Sequence, residues 1–370
     1  MKILYVASIE EHIRAFHMPI IKDMIDRGNE VKVYSKNTSS NSFEENGVEF
    51  ININFTREPL TWNSLKVFFQ LFKLLKIEKF DLISTHTPTA SVLIRTAAFF
   101  SRSKAKIIYT AHGFHFFKGA PIKNWIIFYW LEKILAKVTD VLFVMNDEDF
   151  KISQKFKLRA NGEVKKIPGI GINLKKYKKL DEKMVGKIRE NLQVKEKELM
   201  LISVAELSYR KNQIQLLKAL ENLGGNIKLF LVGEGEKREE YKKFIEKNGL
   251  NEKVKLLGVR NDINELINAS DLVCLTSIHE GLPRCILEAM AIGKPALVSD
   301  IRGNNDLIKH LENGLVVPLN NIKMTKEMIE YSYLNKNYLK EMGLKNLKII
   351  ENYREEIVID MIGKIVLTKN

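Results

Sequence analysis

Short β-branched or apolar runs alternate with longer segments of helical period along this whole chain, and the alternation starts afresh near its middle. Ile3–Ala7, Val31–Tyr34, Asp81–Ser84, Lys106–Thr110 and Val141–Val144 are expected as strands in the first half. Leu199–Val204, Ile227–Val232, Val254–Leu257, Leu272–Leu275, Pro295–Ser299 and Leu315–Val317 are expected as strands in the second. Helical period fills the gaps, for example over His12–Arg27, Asn212–Asn222, Lys237–Asn248 and Arg284–Ile292. Strand and helix in turn predict parallel sheets with helices on both faces. The expected class is α/β, with two Rossmann-like, doubly wound parallel-sheet domains.

The length of 370 residues suits two domains at about 150 residues each. The stretch from Lys165 to Leu180 joins Pro168, Gly169 and Gly171 to a run of lysines with little periodicity, which suits a connection. Residues 1–170 are therefore assigned to an N-terminal domain and 171–349 to a C-terminal one, with a last helix over about 350–370 expected to pack back on the first. Doubly wound sheets bind ligands outside the carboxyl ends of their strands, so a cleft between the domains is the expected site.

Composition removes several classes. A hydrophobic fraction of 45% with 28% charged residues excludes disordered and collagen-like chains. No apolar run approaches the roughly 20 residues that span a bilayer. Met1–Ala7 meets Glu10 and Glu11 at once, so the start reads as a first strand and not as a leader. Cys274 and Cys285 form no metal or disulfide framework, and a cytoplasmic setting is expected. Gly233-x-Gly235 lacks the third glycine of a dinucleotide fingerprint.

Charge is lopsided. Residues 1–180 hold 29 Lys and Arg against 17 Asp and Glu, so nearly all of the net +14 lies in the N-terminal half. Within it, Trp62–Lys79 sets Leu65, Phe68, Phe69, Phe72 and Leu75 at helical spacing beside Lys66, Lys73 and Lys76. Lys118–Lys137 sets Trp125, Phe128, Tyr129 and Trp130 among four lysines. Each alone reads as a helix packing on a sheet; two in the basic half point to an anionic membrane surface. Basic clusters interleaved with exposed aromatics along strands are missing, so no nucleic-acid partner is expected.

Thr276–Lys294 carries the most chemistry. A strand runs into a loop with His279, Glu280 and Gly281; Pro283 is expected in the first helical turn, and Glu288 follows on the helix before Gly293. The N–H groups of a helix start favour an anion. Two carboxylates nearby can accept hydrogen bonds from hydroxyls, a combination that describes a sugar-nucleotide site.

Glu280-Gly-Leu-Pro…Leu287-Glu288-Ala, with seven residues between the carboxylates and Gly293-Lys-Pro after them, resembles the E-x7-E signature of the retaining glycosyltransferases of family 4, which have the GT-B fold. Leu207…Lys211-Asn, Leu231-Val-Gly-Glu-Gly235, Val259-Arg-Asn-Asp262 and Thr110-Ala-His112-Gly113 resemble further segments of that family in order and spacing. Segments around His112, Glu206 and Asp300 are similar to enzymes of bacterial capsule and exopolysaccharide assembly. The resemblance implies that Glu288 binds ribose hydroxyls and Glu280 contacts the donor sugar. Lys211 and the backbone of Gly281 and Leu282 would neutralise the diphosphate, Val259 and Arg260 would line the base pocket, and His112 would reach the donor sugar. Glu206 stands where the family usually has Arg, which leaves Arg210 or Arg260 to supply a second cation. Ser8-Ile-Glu-Glu-His12 replaces the family's glycine-rich loop; His12, Arg14, His17 and His86 are the acceptor-side candidates, and for each histidine alone a structural or solvated role is the commoner reading. His112 and His115 have no Cys or Asp at ligand spacing, so no metal and no cofactor are expected. The expected reaction moves a sugar from a UDP-linked donor to a polyprenyl-diphosphate-linked saccharide at the inner face of the cell membrane. Its rivals are a sugar-nucleotide 2-epimerase and a non-catalytic lipid- or nucleic-acid-binding protein on the same scaffold.

Overall fold

The computed structural model describes residues 1–37, 43–45, 47–56, 61–221, 223–224 and 226–367. These form two compact units, one of residues 1–171 with the helix that starts at Glu355, the other of residues 172–354. The strands of the first unit are β1 (Lys2–Ile9), β2 (Glu30–Lys36), β3 (Phe43–Glu45), β4 (Val48–Asn52), β5 (Leu82–His86), β6 (Lys106–Thr110), β7 (Val141–Val144) and β8 (Glu163–Lys166). They build one sheet in the order β3-β4-β2-β1-β5-β6-β7-β8, parallel throughout save for β3 against β4. The second unit holds β9 (Leu199–Val204), β10 (Ile227–Val232), β11 (Val254–Gly258), β12 (Leu272–Leu275), β13 (Ala296–Ser299) and β14 (Gly314–Val317). Its sheet has the order β11-β10-β9-β12-β13-β14, all parallel.

Alternate residues of one strand feed two cores, which is why these runs read as unbroken apolar sequence. Leu199 and Leu201 of β9 enter one cluster with Leu272 and Cys274. Met200 and Ile202 enter the other with Val273 and Leu275. Three strands escape the sequence reading because they lie toward the sheet margins: β3, β4 and β8, the last being Glu-Val-Lys-Lys with no buried residue. Lysines on an edge strand discourage pairing with another chain. Because β8 takes up Lys165 and Lys166, the connection begins only at Pro168. At Gly171 the backbone is left-handed, and a Cβ there would lie 2.6 Å from the Cα of Glu355. Ile350 stays in a core of the second unit, so the returning helix starts at Glu355 and not near residue 350; its expected end, residues 368–370, lies outside the described residues. The expected helix end at Asn222 does too, and the helix there spans Ile214–Leu220.

The helix expected over His12–Arg27 is two, Glu10–Phe16 and Met18–Asp26. Pro19 causes the break, because it lacks an N–H and its ring collides with the carbonyl four residues back. His17 sits at the junction and is fully buried. In the helix Trp62–Ile77 the buried stripe is Ser64, Val67, Leu71 and Leu75, whereas Leu65 and Phe69 face solvent. That corrects the face expected from the aromatic spacing.

The helices Pro88–Ser101 and Trp130–Ala136 are joined by a buried ion pair. Arg95 Nη2 donates to Glu132 Oε2 at 2.7 Å, and the Tyr109 hydroxyl donates to Glu132 Oε1 at 3.2 Å. The guanidinium lies 4.1 Å from the centre of the Tyr109 ring. Removing one partner strands the other charge in the core. Glu132→Ala should therefore cost about 3–5 kcal/mol in urea unfolding, while the double change Arg95→Met with Glu132→Leu should recover most of that loss.

Candidate active site

Chain order along the second sheet reverses between β9 and β12, and the loops leaving their carboxyl ends meet there. The loop after β12 carries Glu280, which is 8% exposed. Lys211 Nζ donates to its Oε1 at 2.6 Å, and Arg210 Nη1 donates to the same oxygen at 3.4 Å. Burial alone would push this carboxyl up; Lys211 and then Arg210 outweigh it and hold the group below the usual range, so Glu280 stays ionised.

Both cations sit in the turn Tyr209–Lys211 after β9. Asn212 follows in the left-handed region, at φ 52°, and anchors the turn. Its Nδ2 donates to the Thr276 carbonyl at 3.1 Å, while Thr276 Oγ1 donates to the Asn212 carbonyl at 2.9 Å. The Ile278 N–H donates to the Arg210 carbonyl at 2.8 Å. The loops after β9 and β12 are thus fastened side by side before any ligand arrives. Gly233 and Gly235 let a third loop come close: a Cβ on either would lie 2.2 Å from the Ala205 oxygen or 2.3 Å from the Leu207 oxygen. No larger residue fits this turn.

Pro283 precedes the helix Arg284–Ala291 as its cap residue, one place earlier than expected, because its ψ of 116° is extended. Gly281 and Leu282 lie half-buried just before it. A Cβ on Gly303 would lie 2.6 Å from the Gly281 carbonyl, so the loop after β13 supports this segment from behind. Glu288 is buried one turn into the helix and accepts from Arg284 Nε at 3.1 Å. Burial, and then the charge of Glu288, push the Tyr177 phenol up. Val259 stands exposed after β11, and Arg260 forks onto Asp262 at 2.8 and 2.5 Å. Of the two arginines considered for a second cation, Arg210 is the one beside Glu280. Glu206 points to solvent.

In the first unit the order reverses between β1 and β5. β1 passes directly into the helix Glu10–Phe16 with no glycine-rich loop. Ser8 is tied to the loop after β5: its N–H and hydroxyl lie 3.0 and 2.7 Å from Thr87 Oγ1. Four histidines at or beyond the carboxyl ends of β1, β5 and β6 come together here. His17 Nε2 is 3.2 Å from His12 Nδ1, and His86 Nδ1 is 3.3 Å from His112 Nε2. Burial lowers all four below the usual imidazole range, His112 to about 3 and His17 and His86 well below it, so each ring is neutral. Arg14, grouped with them from sequence, turns away: Nε donates to Glu10 at 2.5 Å and the guanidinium covers the Phe50 ring at 5.0 Å. His115 stands apart from the cluster against Phe128, with ring centres 4.9 Å apart.

The sequence reading missed Arg284, whose i,i+4 spacing to Glu288 was a visible signal. Asn212 and Thr276 lie inside the quoted segments but their holding role was not read, and Tyr5 and Ser84, which carry no motif, were missed.

Residues 185–348 match the family described as Glycosyl transferases group 1, and residues 2–146 match Glycosyl transferase 4-like. EpsD of Bacillus subtilis is 34% identical over 98% of this chain and 96% of its own length. The UDP-Gal:alpha-D-GlcNAc-diphosphoundecaprenol alpha-1,3-galactosyltransferase of Escherichia coli is 33% identical, over 70% of this chain and 67% of its own. Among solved structures, Anabaena HepE in complex with UDP-glucose superposes with a TM-score of 0.79 at 22% identity, covering 99% of both chains. WaaG, a glycosyltransferase involved in lipopolysaccharide biosynthesis, gives 0.78 at 16% identity, over 99% of this chain and 100% of its own. With its pair of doubly wound sheets and its E-x7-E helix, this chain belongs to the glycosyltransferases of GT-B fold.

Proposed function

We propose that this glycosyltransferase moves a sugar from a UDP-linked donor, with retention of configuration, to a polyprenyl-diphosphate-linked saccharide in capsule or exopolysaccharide assembly. The observation that carries the donor half is Glu280 held between Lys211 and Arg210 beside the start of the helix Arg284–Ala291. An arriving diphosphate offers those cations a more highly charged partner. Lys211, Arg210 and the Gly281–Leu282 backbone then stabilise the charge that develops as the glycosyl–phosphate bond breaks, and no metal is needed for that load. Glu280, released from Lys211, accepts from a donor-sugar hydroxyl near the transferred carbon. Glu288 binds the ribose hydroxyls, with Arg284 fixing its carboxylate. Val259 and Arg260 border the base, and His112 reaches the donor sugar.

Support for the donor and acceptor comes from relatives. The Escherichia coli relative is named for UDP-Gal and a diphosphoundecaprenol acceptor. A Campylobacter jejuni relative, 28% identical over 95% of this chain and 96% of its own, is an N,N'-diacetylbacillosaminyl-diphospho-undecaprenol alpha-1,3-N-acetylgalactosaminyltransferase. Ser8, Glu11, Thr87 and His115, with the apolar Phe55 and Pro88, line a groove that offers an acceptor saccharide both hydrogen-bonding groups and apolar surface.

A lipid-linked acceptor has to be met at the bilayer. No helix among the described residues is long and apolar enough to cross a membrane. The first unit nevertheless exposes Trp62, Leu65, Phe69, Phe99, Phe100, Ile126 and Trp130. These lie on helices that follow β4, β5 and β6, which cross the sheet in one direction and so cover one face. Lys133 lies over the Trp130 ring at 4.8 Å. Apolar side chains among lysines suit an anionic leaflet.

Lys211→Ala should lower the transfer rate by about 10²–10³-fold, read in a UDP-release assay with a lipid-linked acceptor. Glu288→Ala should weaken UDP-sugar binding by roughly 10–100-fold in calorimetry, the range of a hydrogen bond to a charged group. Thermal shift over UDP-, GDP- and TDP-sugars should single out the UDP series; equal shifts with all three bases would overturn the donor assignment. Donor alone should give only slow hydrolysis, whereas fast conversion to an epimer would replace transfer with epimerisation. Flotation with anionic vesicles should fall on the order of 100-fold when Lys66, Lys73 and Lys76 are made neutral, at about 1 kcal/mol per lysine. Unchanged flotation removes the membrane assignment.

A further inference from the structure

Four of the seven histidines of this chain meet at the β1–β5 reversal, and among the described residues the metal-ligand group there is histidines alone. One nitrogen each from His17, His86 and His112 lies within 4.8 Å of the others. Zinc–nitrogen bonds of about 2.0–2.1 Å hold two ligand atoms roughly 3.3 Å apart in a tetrahedron. The His86 Nδ1–His112 Nε2 edge already has that length, at 3.3 Å. Bringing His17 from within 4.8 Å into the same geometry takes a shift of at most about 1.5 Å.

The other nitrogens are held as metal ligands require. His17 Nδ1 is 2.8 Å from the Tyr5 hydroxyl, and His86 Nε2 is 3.1 Å from Ser84 Oγ. Tyr5 and Ser84 are register partners on β1 and β5, so the two ends of one rung of a rigid ladder orient two of the three rings. The Tyr5 ring also stacks on His86 at 4.6 Å. In the tautomer where His17 Nδ1–H donates to Tyr5 and His86 Nε2–H donates to Ser84, Nε2 of His17 and Nδ1 of His86 carry lone pairs, and the hydrogen bonds they accept from His12 and His112 would give way to the metal.

We propose that His17, His86 and His112 form a binding site for a divalent transition metal of the imidazole-preferring class, Zn²⁺ first among them, with a fourth position left to half-buried His12 or to an oxygen ligand. Neutral imidazoles are the form that coordinates metal, and burial keeps these rings neutral. Nitrogen ligands alone select Zn²⁺, Cu²⁺ or Ni²⁺ over Mg²⁺ or Ca²⁺, which take oxygen. The site is separate from the cations that meet the donor diphosphate, and it does not rest on the transfer reading. Metal on His112 Nε2 competes with the donor-sugar contact proposed for that residue, so bound Zn²⁺ should inhibit transfer and its removal should restore it.

Zn²⁺ alone is the probe. After treatment with EDTA and desalting, the full chain should take up about one equivalent, with a dissociation constant below about 1 µM in competition with a chromophoric chelator. Co²⁺ in its place should give the visible absorption of a tetrahedral nitrogen site. His86→Asn and His112→Asn should each weaken Zn²⁺ binding at least about 100-fold at unchanged circular dichroism. Tyr5→Phe and Ser84→Ala keep all the imidazoles and should weaken it by about 10–100-fold, which decides the matter should a histidine variant fail to fold. Uptake below about 0.2 equivalents by the parent chain, or equal affinity in all four variants, would overturn the site.

Discussion

Parallel strands joined by right-handed crossovers can grow from a first strand in either direction, and a reversal of direction leaves two neighbouring loops pointing apart with room between them. Both sheets reverse once, at β1/β5 and at β9/β12. Glu280 and Lys211 leave the carboxyl ends of β12 and β9; His86, His112 and the His12–His17 segment leave those of β5, β6 and β1. The chemistry of the chain is thus placed by topology before any side-chain contact is considered. The contacts then decide what each reversal can hold.

In the second unit they act by fastening backbone to backbone. Asn212 and Thr276 exchange hydrogen bonds across 64 residues of sequence, and the close approaches at Gly233, Gly235 and Gly303 leave no space for a side chain. A cation carried on a loose loop would lose much of its value to the entropy of ordering it. Lys211 sits on a turn closed on both sides, so its ammonium is held in place ahead of the diphosphate proposed for it. Glu280 has a matching part: a desolvated Lys211 without a counter-charge would be costly, and the carboxylate supplies one until a ligand replaces it.

What the sequence shows and what it hides follow from the range of the interactions. The central strands are legible because they are buried on both faces, and β8 is not, because Glu-Val-Lys-Lys on an edge looks like loop. The Glu280–Glu288 spacing is local and survives as a motif. The Lys211–Glu280 contact spans 69 residues and is reached from sequence only through resemblance to a family. Pro19 marks the break that buries His17, yet the meeting of His17 with His86 depends on Tyr5 lying opposite Ser84, a register no periodicity reveals. The same limit explains Arg14, which shares a short helix with His12 and still points to Glu10 and Phe50.

The two reversals differ most in charge. Around β9/β12 the cations persist in a partly buried place because carboxylates pair with them: Lys211 and Arg210 with Glu280, Arg284 with Glu288. Around β1/β5 burial keeps the imidazoles neutral. A neutral imidazole both donates and accepts, which suits hydroxyls or, through its lone pair, a metal; it offers a diphosphate little. In the proposed transfer the anionic end of the donor therefore suits the second sheet. Moving a charge into the histidine cluster by His17→Lys would disturb that division more than any loss of bulk, because among the described residues the group that His17 joins is histidines alone.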